Sequence, residues 1–145
     1  MKKLMLGLMA GFVLWTTGAA DLYWQTDLPK AQAQARAENK LVLLDFTGSD
    51  WCGWCKKLDA ETFAKPEFAA YALTNLVLVV VDFPHTTPQA DDLKAANKAL
   101  GKKYSIQGYP TLIALKPDGT VAMQQVGYLE GGPQALIAKL DEAKK

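Results

Sequence analysis

The chain of 145 residues contains two cysteines, Cys52 and Cys55, in the stretch Trp51-Cys52-Gly53-Trp54-Cys55. An apolar run, Leu41-Val42-Leu43-Leu44-Asp45-Phe46, precedes them, and a helix-forming run from Lys56 follows. At the start of a helix, positions i and i+3 share one face. The two sulfurs can then close a small disulfide ring and open it again. The first turn of a helix leaves N–H groups unpaired and carries partial positive charge, which favours a thiolate at Cys52. Strand, Cys-x-x-Cys and helix, in that order, suit reversible thiol–disulfide chemistry.

Other uses of the pair fit the residues less well. A disulfide across so short a loop removes little chain entropy and is a poor staple. A zinc site needs about four ligands, and the cysteines with the lone His85 fall short of that. Covalent haem attachment needs a His after Cys55, where Lys56 stands. The residues leave a competing class open, a binding module whose cysteines hold copper or zinc. The metal content of protein purified without chelator separates the two classes. The redox reading needs no cofactor and no metal.

Half of the residues are hydrophobic, and the formal net charge is +1. That composition suits one packed domain. It carries no electrostatic footprint for nucleic acid. Lys2 and Lys3, the apolar run 4–15 and the small residues Thr17-Gly18-Ala19-Ala20 have the layout of a signal peptide. Residues 1–20 are therefore expected to be removed, leaving a domain at 21–145. The apolar run is shorter than the roughly 20 residues of a membrane span, so no stable membrane insertion is expected after cleavage. An uncleaved anchor is the alternative. Export places the pair in an oxidising compartment, periplasmic or outside the cell, where a single pair is more functional than structural.

The elements that must position the cysteines follow from patterning. Thr26 and Asp27 can cap a helix over 30–39, with Pro29 in its first turn and only a weakly apolar face. Residues 41–46 and 76–81 read as buried strands, being short and almost wholly apolar. A helix from Gly53 is expected to reach 63 or 64, with Pro66 marking a restart over 67–73. A helix over 89–103 is expected to bury Leu93, Ala96, Ala99 and Leu100. Strands at 111–115 and 120–126 form a hairpin about Pro117-Asp118-Gly119. A last helix, 134–144, turns Leu136, Ile137 and Leu140 inward.

These residues resemble the thioredoxin fold, and in particular the exported thioredoxin-like proteins related to periplasmic thiol:disulfide interchange proteins. The resemblance spans about 22–144 and rests on Leu43-Leu44-Asp45-Phe46, Trp51-Cys52-Gly53-Trp54-Cys55-Lys56, Val80-Val81-Asp82 and Gly108-Tyr109-Pro110-Thr111. It implies an α/β fold: a central mixed β-sheet flanked by helices, with an N-terminal helix extension. It also implies that Pro110 is a cis proline against the cysteines and that the Tyr109 backbone pairs with substrate. The chain departs from thioredoxin in Gly53-Trp54 between the cysteines and in Ala60 where thioredoxin has a proline. Asp45 lies one residue further from the first cysteine than the family's buried acid does. The lysine that partners this acid is absent from 76–81.

In this reading Cys52, the more exposed sulfur at the helix start, attacks a substrate disulfide, and Cys55 resolves the mixed disulfide. Asp45 accepts the Cys55 proton, or else caps the strand end. Trp51 and Trp54 border the substrate groove with Tyr109 and Pro110. Lys56 and Lys57 are a solvated helix face or thiolate stabilisers, and His85 has no catalytic role. The expected activity is that of a protein-disulfide reductase or isomerase. Its partners would be disulfide-containing exported proteins and, following the resembling families, a membrane-embedded electron donor.

Overall fold

The structure, a computed structural model, describes residues 21–145. The expected signal peptide, 1–20, lies outside the described residues. The expected strands at 41–46, 76–81 and 111–115 become the centre of a five-stranded mixed sheet. Its strands are β1 (Trp24–Gln25), β2 (Leu41–Thr47), β3 (Leu76–Asp82), β4 (Thr111–Leu115) and β5 (Val121–Val126), in the order β1-β3-β2-β4-β5. Strand β3 runs parallel to β1 and β2, while β4 is antiparallel to β2 and β5. This is the expected mixed sheet with one strand more. The edge strand β1 is only two residues long, too short to show a period.

Side chains alternate across a sheet, and β2 divides its residues accordingly. Leu41 and Leu43 face a core built with Leu58, Phe63, Phe68, Leu136 and Leu140. Val42, Leu44 and Phe46 face a second core with Leu28, Ala31 and Ala35. Helices α2 (Gly53–Leu58), α3 (Pro66–Asn75) and α5 (Gly132–Ala143) supply the first core. Helix α1 (Leu28–Glu38) supplies the second. Its apolar face is weak because it consists largely of alanines, which let the helix lie close on the sheet. Asp27 caps it, accepting the Lys30 N–H at 2.9 Å.

Two expectations need correction. Helix α4 (Asp91–Lys103) exposes Ala96 and Ala99 and buries Asn97 instead, with Leu93 and Leu100 half-buried on either side. The inward line is therefore 93, 97, 100. Asn97 is drawn in because its Nδ2 donates to the Asp82 carbonyl at 2.9 Å. Nor is the helix after the cysteines regular to its end. After Leu58 it widens into a π-helical turn, Asp59–Phe63. The Ala64 N–H reaches back five residues to the Asp59 carbonyl at 2.8 Å. The wider turn carries Phe63 into the core, 5.0 Å from the Trp24 ring and 5.1 Å from the Phe68 ring. No proline or glycine in 54–64 announces it.

The Phe63–Phe68 contact ties the end of the cysteine helix to α3, and Phe68 is fully buried. Phe68→Ala is expected to lower the unfolding free energy by about 3–5 kcal/mol. Urea denaturation should show the loss as a lower midpoint with an unchanged m-value. A loss under about 1 kcal/mol would contradict this packing.

Candidate active site

The cysteines are placed by a tight turn leaving β2. The Gly48 carbonyl accepts the N–H groups of Trp51 at 3.2 Å and Cys52 at 2.8 Å. A Cβ at residue 48 would collide with the Trp51 indole, so only glycine fits there. The turn delivers Cys52, in extended conformation, as the N-cap of α2. Its Sγ accepts the Cys55 N–H at 3.2 Å, and its carbonyl accepts the Lys56 N–H at 3.1 Å. Cys52 and Cys55 are joined as a disulfide, their Cα atoms 5.3 Å apart.

The expected difference in exposure is not seen: each cysteine is 5% exposed. What distinguishes them is position, since Cys52 receives the first-turn N–H and Cys55 backs onto a pocket.

That pocket, of about 320 Å³, is lined by Cys55, Asp45, Lys56, Asp59 and Ser49, among others. Asp45 reaches it because alternation along β2 turns residue 45 to the same side as Leu41 and Leu43, the side of α2. Val80 stands opposite Asp45 on β3. Asp45 Oδ1 has no hydrogen-bond partner among the described residues. Burial, then the charges of Asp59 and Asp82, push the Asp45 carboxyl up to about 7.

On one side of the disulfide, Trp51 donates its indole N–H to the Phe83 carbonyl at 2.8 Å. Its ring stacks on His85 at 4.4 Å and meets Tyr109 edge-on at 5.7 Å. The Tyr109–Pro110 bond is cis and Pro110 is buried. Trp54 does not join this group. It lies exposed 5.5 Å from the Tyr128 ring, with the Lys57 ammonium over both rings. The Tyr128 hydroxyl donates to Glu61. The sequence pattern singles out neither Asp59 nor Tyr128, and it leaves His85 without a place at the site. Asp59 sits four residues after Cys55, a signal that is present but ambiguous. Tyr128 and His85 arrive from distant loops with no spacing to announce them. Among the described residues, no cluster of three or more His, Cys, Asp or Glu could hold a metal ion.

A carboxyl near 7 in the fold but about 3.9 in the unfolded chain binds more protons when folded. Its cost to stability is absent below pH 4, grows as pH rises and is complete above pH 7. Asp45→Asn, neutral at every pH, should therefore stabilise the protein at pH 8 by up to ~4 kcal/mol and leave it unchanged at pH 4. Denaturant titrations at pH 4, 6 and 8 check this. A stability difference independent of pH would contradict it.

A family profile of the thioredoxin-like domain matches residues 28–144. The disulfide bond reductase DsbH of Chlamydia pneumoniae is 32% identical over 127 residues, covering 88% of this chain and 75% of that protein. The thiol:disulfide interchange protein DsbD 2 of Pseudomonas aeruginosa is 37% identical over 93 residues, 64% of this chain but 14% of that longer protein. The solved structure of a DsbH oxidoreductase superposes with a TM-score of 0.81 at 31% identity, covering 93% of this chain and 94% of that one. With a thioredoxin sheet, a Cys-x-x-Cys pair capping its helix and relatives of this kind, the chain belongs to the thioredoxin-like family and is a thiol–disulfide oxidoreductase.

Proposed function

We propose that the chain is exported, that residues 1–20 are removed, and that the domain 21–145 reduces disulfides of exported proteins. The observation that carries this reading is the asymmetric setting of the pair. Cys52 Sγ takes a first-turn N–H, while Cys55 backs onto the pocket lined by Asp45 and Asp59. DsbH, named a disulfide bond reductase, supports the direction. Among the described residues no helix is long and apolar enough to cross a membrane.

The reaction has two exchanges. The Cys52 thiolate attacks one sulfur of the substrate disulfide. A Cys52–substrate disulfide forms and the other substrate sulfur leaves as a thiolate, which takes a proton from solvent. Asp45, which lines the pocket behind Cys55, then accepts the Cys55 proton, directly or through a water. A carboxyl with a pKa near 7 can hold and release a proton at neutral pH. Cys55 attacks Cys52 Sγ, the mixed disulfide breaks, and the second substrate thiolate departs. Two electrons have passed from the dithiol to the substrate, and a membrane-embedded donor restores them.

Negative charge at Asp45 and Asp59 disfavours a thiolate beside Cys55. Strong oxidants of this chemistry are those whose reduced form is stabilised. Carboxylates at the pocket work the other way and favour a reductant. Trp51, Tyr109 and Pro110 border the groove for the substrate chain, and Trp54, exposed beside Tyr128, offers a second aromatic contact outside it. The Tyr109 backbone pairs with an extended segment of that chain as an added strand would.

Iodoacetamide should modify Cys52 of the reduced protein well before Cys55 at pH 7, and Cys55→Ser should accumulate mixed disulfides with oxidised substrate. Peptide mapping by mass spectrometry reads both. Faster labelling of Cys55 would make Cys55 the nucleophile and Cys52 the resolving thiol.

A further inference from the structure

The wall that carries Trp51 is held by a residue that plays no part in the sulfur chemistry. Both carboxylate oxygens of Asp50 are taken up by the loop 85–87. Oδ1 accepts the His85 N–H at 2.9 Å, and Oδ2 accepts the Thr86 N–H, the Thr86 hydroxyl and the Thr87 N–H, each at 2.8 Å. These donors, with the His85 N–H foremost, hold the Asp50 carboxyl below the usual carboxylate range. The same two loops are tied again on either side. Asp82 accepts from Ser49 N–H at 2.9 Å and from its hydroxyl at 2.5 Å, and the Phe83 N–H donates to the Thr47 carbonyl at 2.9 Å.

The ring that results from this fastening is an exposed one. Trp51 is 40% exposed, yet it is fixed on three sides: by its bond to the Phe83 carbonyl, by His85 lying 6° from parallel, and by the edge of Tyr109. Beside it opens a groove of about 490 Å³, lined by Trp51, His85, Thr86, Pro88, Lys94 and Tyr109. An exposed indole left free would have to be immobilised when a substrate chain settles on it, and that ordering weakens binding. In this fold it is ordered beforehand.

We propose that Asp50 is a positioning residue for substrate binding. By gripping the 85–87 backbone it lays His85 flat on Trp51, and the Trp51–His85–Tyr109 wall so formed sets the affinity for polypeptide disulfides. This rests on the reading of Trp51 and Tyr109 as substrate contacts. It adds two residues to that reading, Asp50 acting through the loop and His85 within the wall.

The test is reduction of insulin by the full domain with dithiothreitol as electron source, resolved into KM and kcat. Amide hydrogen exchange at His85, Thr86 and Thr87 is followed by NMR. In the wild type these three amides should be protected. Asp50→Ala should strip that protection and raise KM roughly three- to tenfold, with kcat changed far less. Asp50→Asn, which keeps one acceptor oxygen, should fall between. His85→Ala should raise KM with the amides still protected, and His85→Phe, which can stack again, should bring KM back. Should Asp50→Ala not fold, the Asn and His85 variants decide alone. Lost protection with an unchanged KM would make the Asp50 bonds mere scaffolding and overturn the proposal, as would protection that survives Asp50→Ala. Trp51→Ala separates the two levels. If it raises KM while the Asp50 and His85 variants do not, this proposal alone fails. If it leaves KM unchanged, the substrate reading fails and takes the proposal with it.

Discussion

The placement of the redox pair depends on the hydrogen bond from the Cys55 N–H to Cys52 Sγ, which makes a sulfur the cap of a helix. A helix start ordinarily takes a Ser, Thr, Asp or Asn oxygen. In this chain the capping group is the reacting group, so backbone geometry and redox chemistry are fixed together. The turn from Gly48 aims Cys52 at that position, and β2 anchors the turn through the middle of the sheet. The pair can exchange only because a rigid sheet presents it at the end of a helix rather than inside one.

The second constraint is the parity of β2. A strand residue faces one side or the other, and 45 shares the side of 41 and 43. A buried carboxyl without a hydrogen-bond partner costs stability, and its raised pKa expresses that cost. A sheet built for stability alone would place an apolar residue there, as it does at every other position of β2 before Thr47. The chain retains a destabilising acid on the pocket that Cys55 also lines. One helical turn after Cys55, Asp59 brings a second carboxylate to the same pocket, and the widened turn that begins there seats Phe63 in the core.

Much of this is legible in the residues. The apolar runs of β2, β3 and β4 locate the sheet, and the Cys-x-x-Cys after the first of them locates the chemistry. Tyr109-Pro110-Thr111 marks the loop that packs beside it. Asp45 is legible as an acid of uncertain reach, because counting residues to Cys52 does not show how the turn between them folds. Other features leave no mark. A two-residue strand has no period. A π-helical turn changes hydrogen-bond register without a residue type of its own. The grip of Asp50 on the 85–87 loop works through main-chain N–H groups, which every residue but proline possesses. Helix α4 misleads because 93, 96, 99 and 100 lie nearly as well on one face as 93, 97 and 100. A buried Asn wins the inward position through one bond to the Asp82 carbonyl.

At the centre stands the Cys52–Cys55 pair, the exchangeable dithiol of a thiol–disulfide oxidoreductase, for which we propose a reducing poise. Equilibrating the protein across a series of reduced-to-oxidised glutathione ratios, quenching in acid and weighing the two forms by mass spectrometry tests this directly. The expected result is full, reversible interconversion with a potential of roughly −200 to −270 mV, the range of glutaredoxins and thioredoxin. A pair that never exchanges, or one poised near the roughly −120 mV of a strong oxidant, would contradict it.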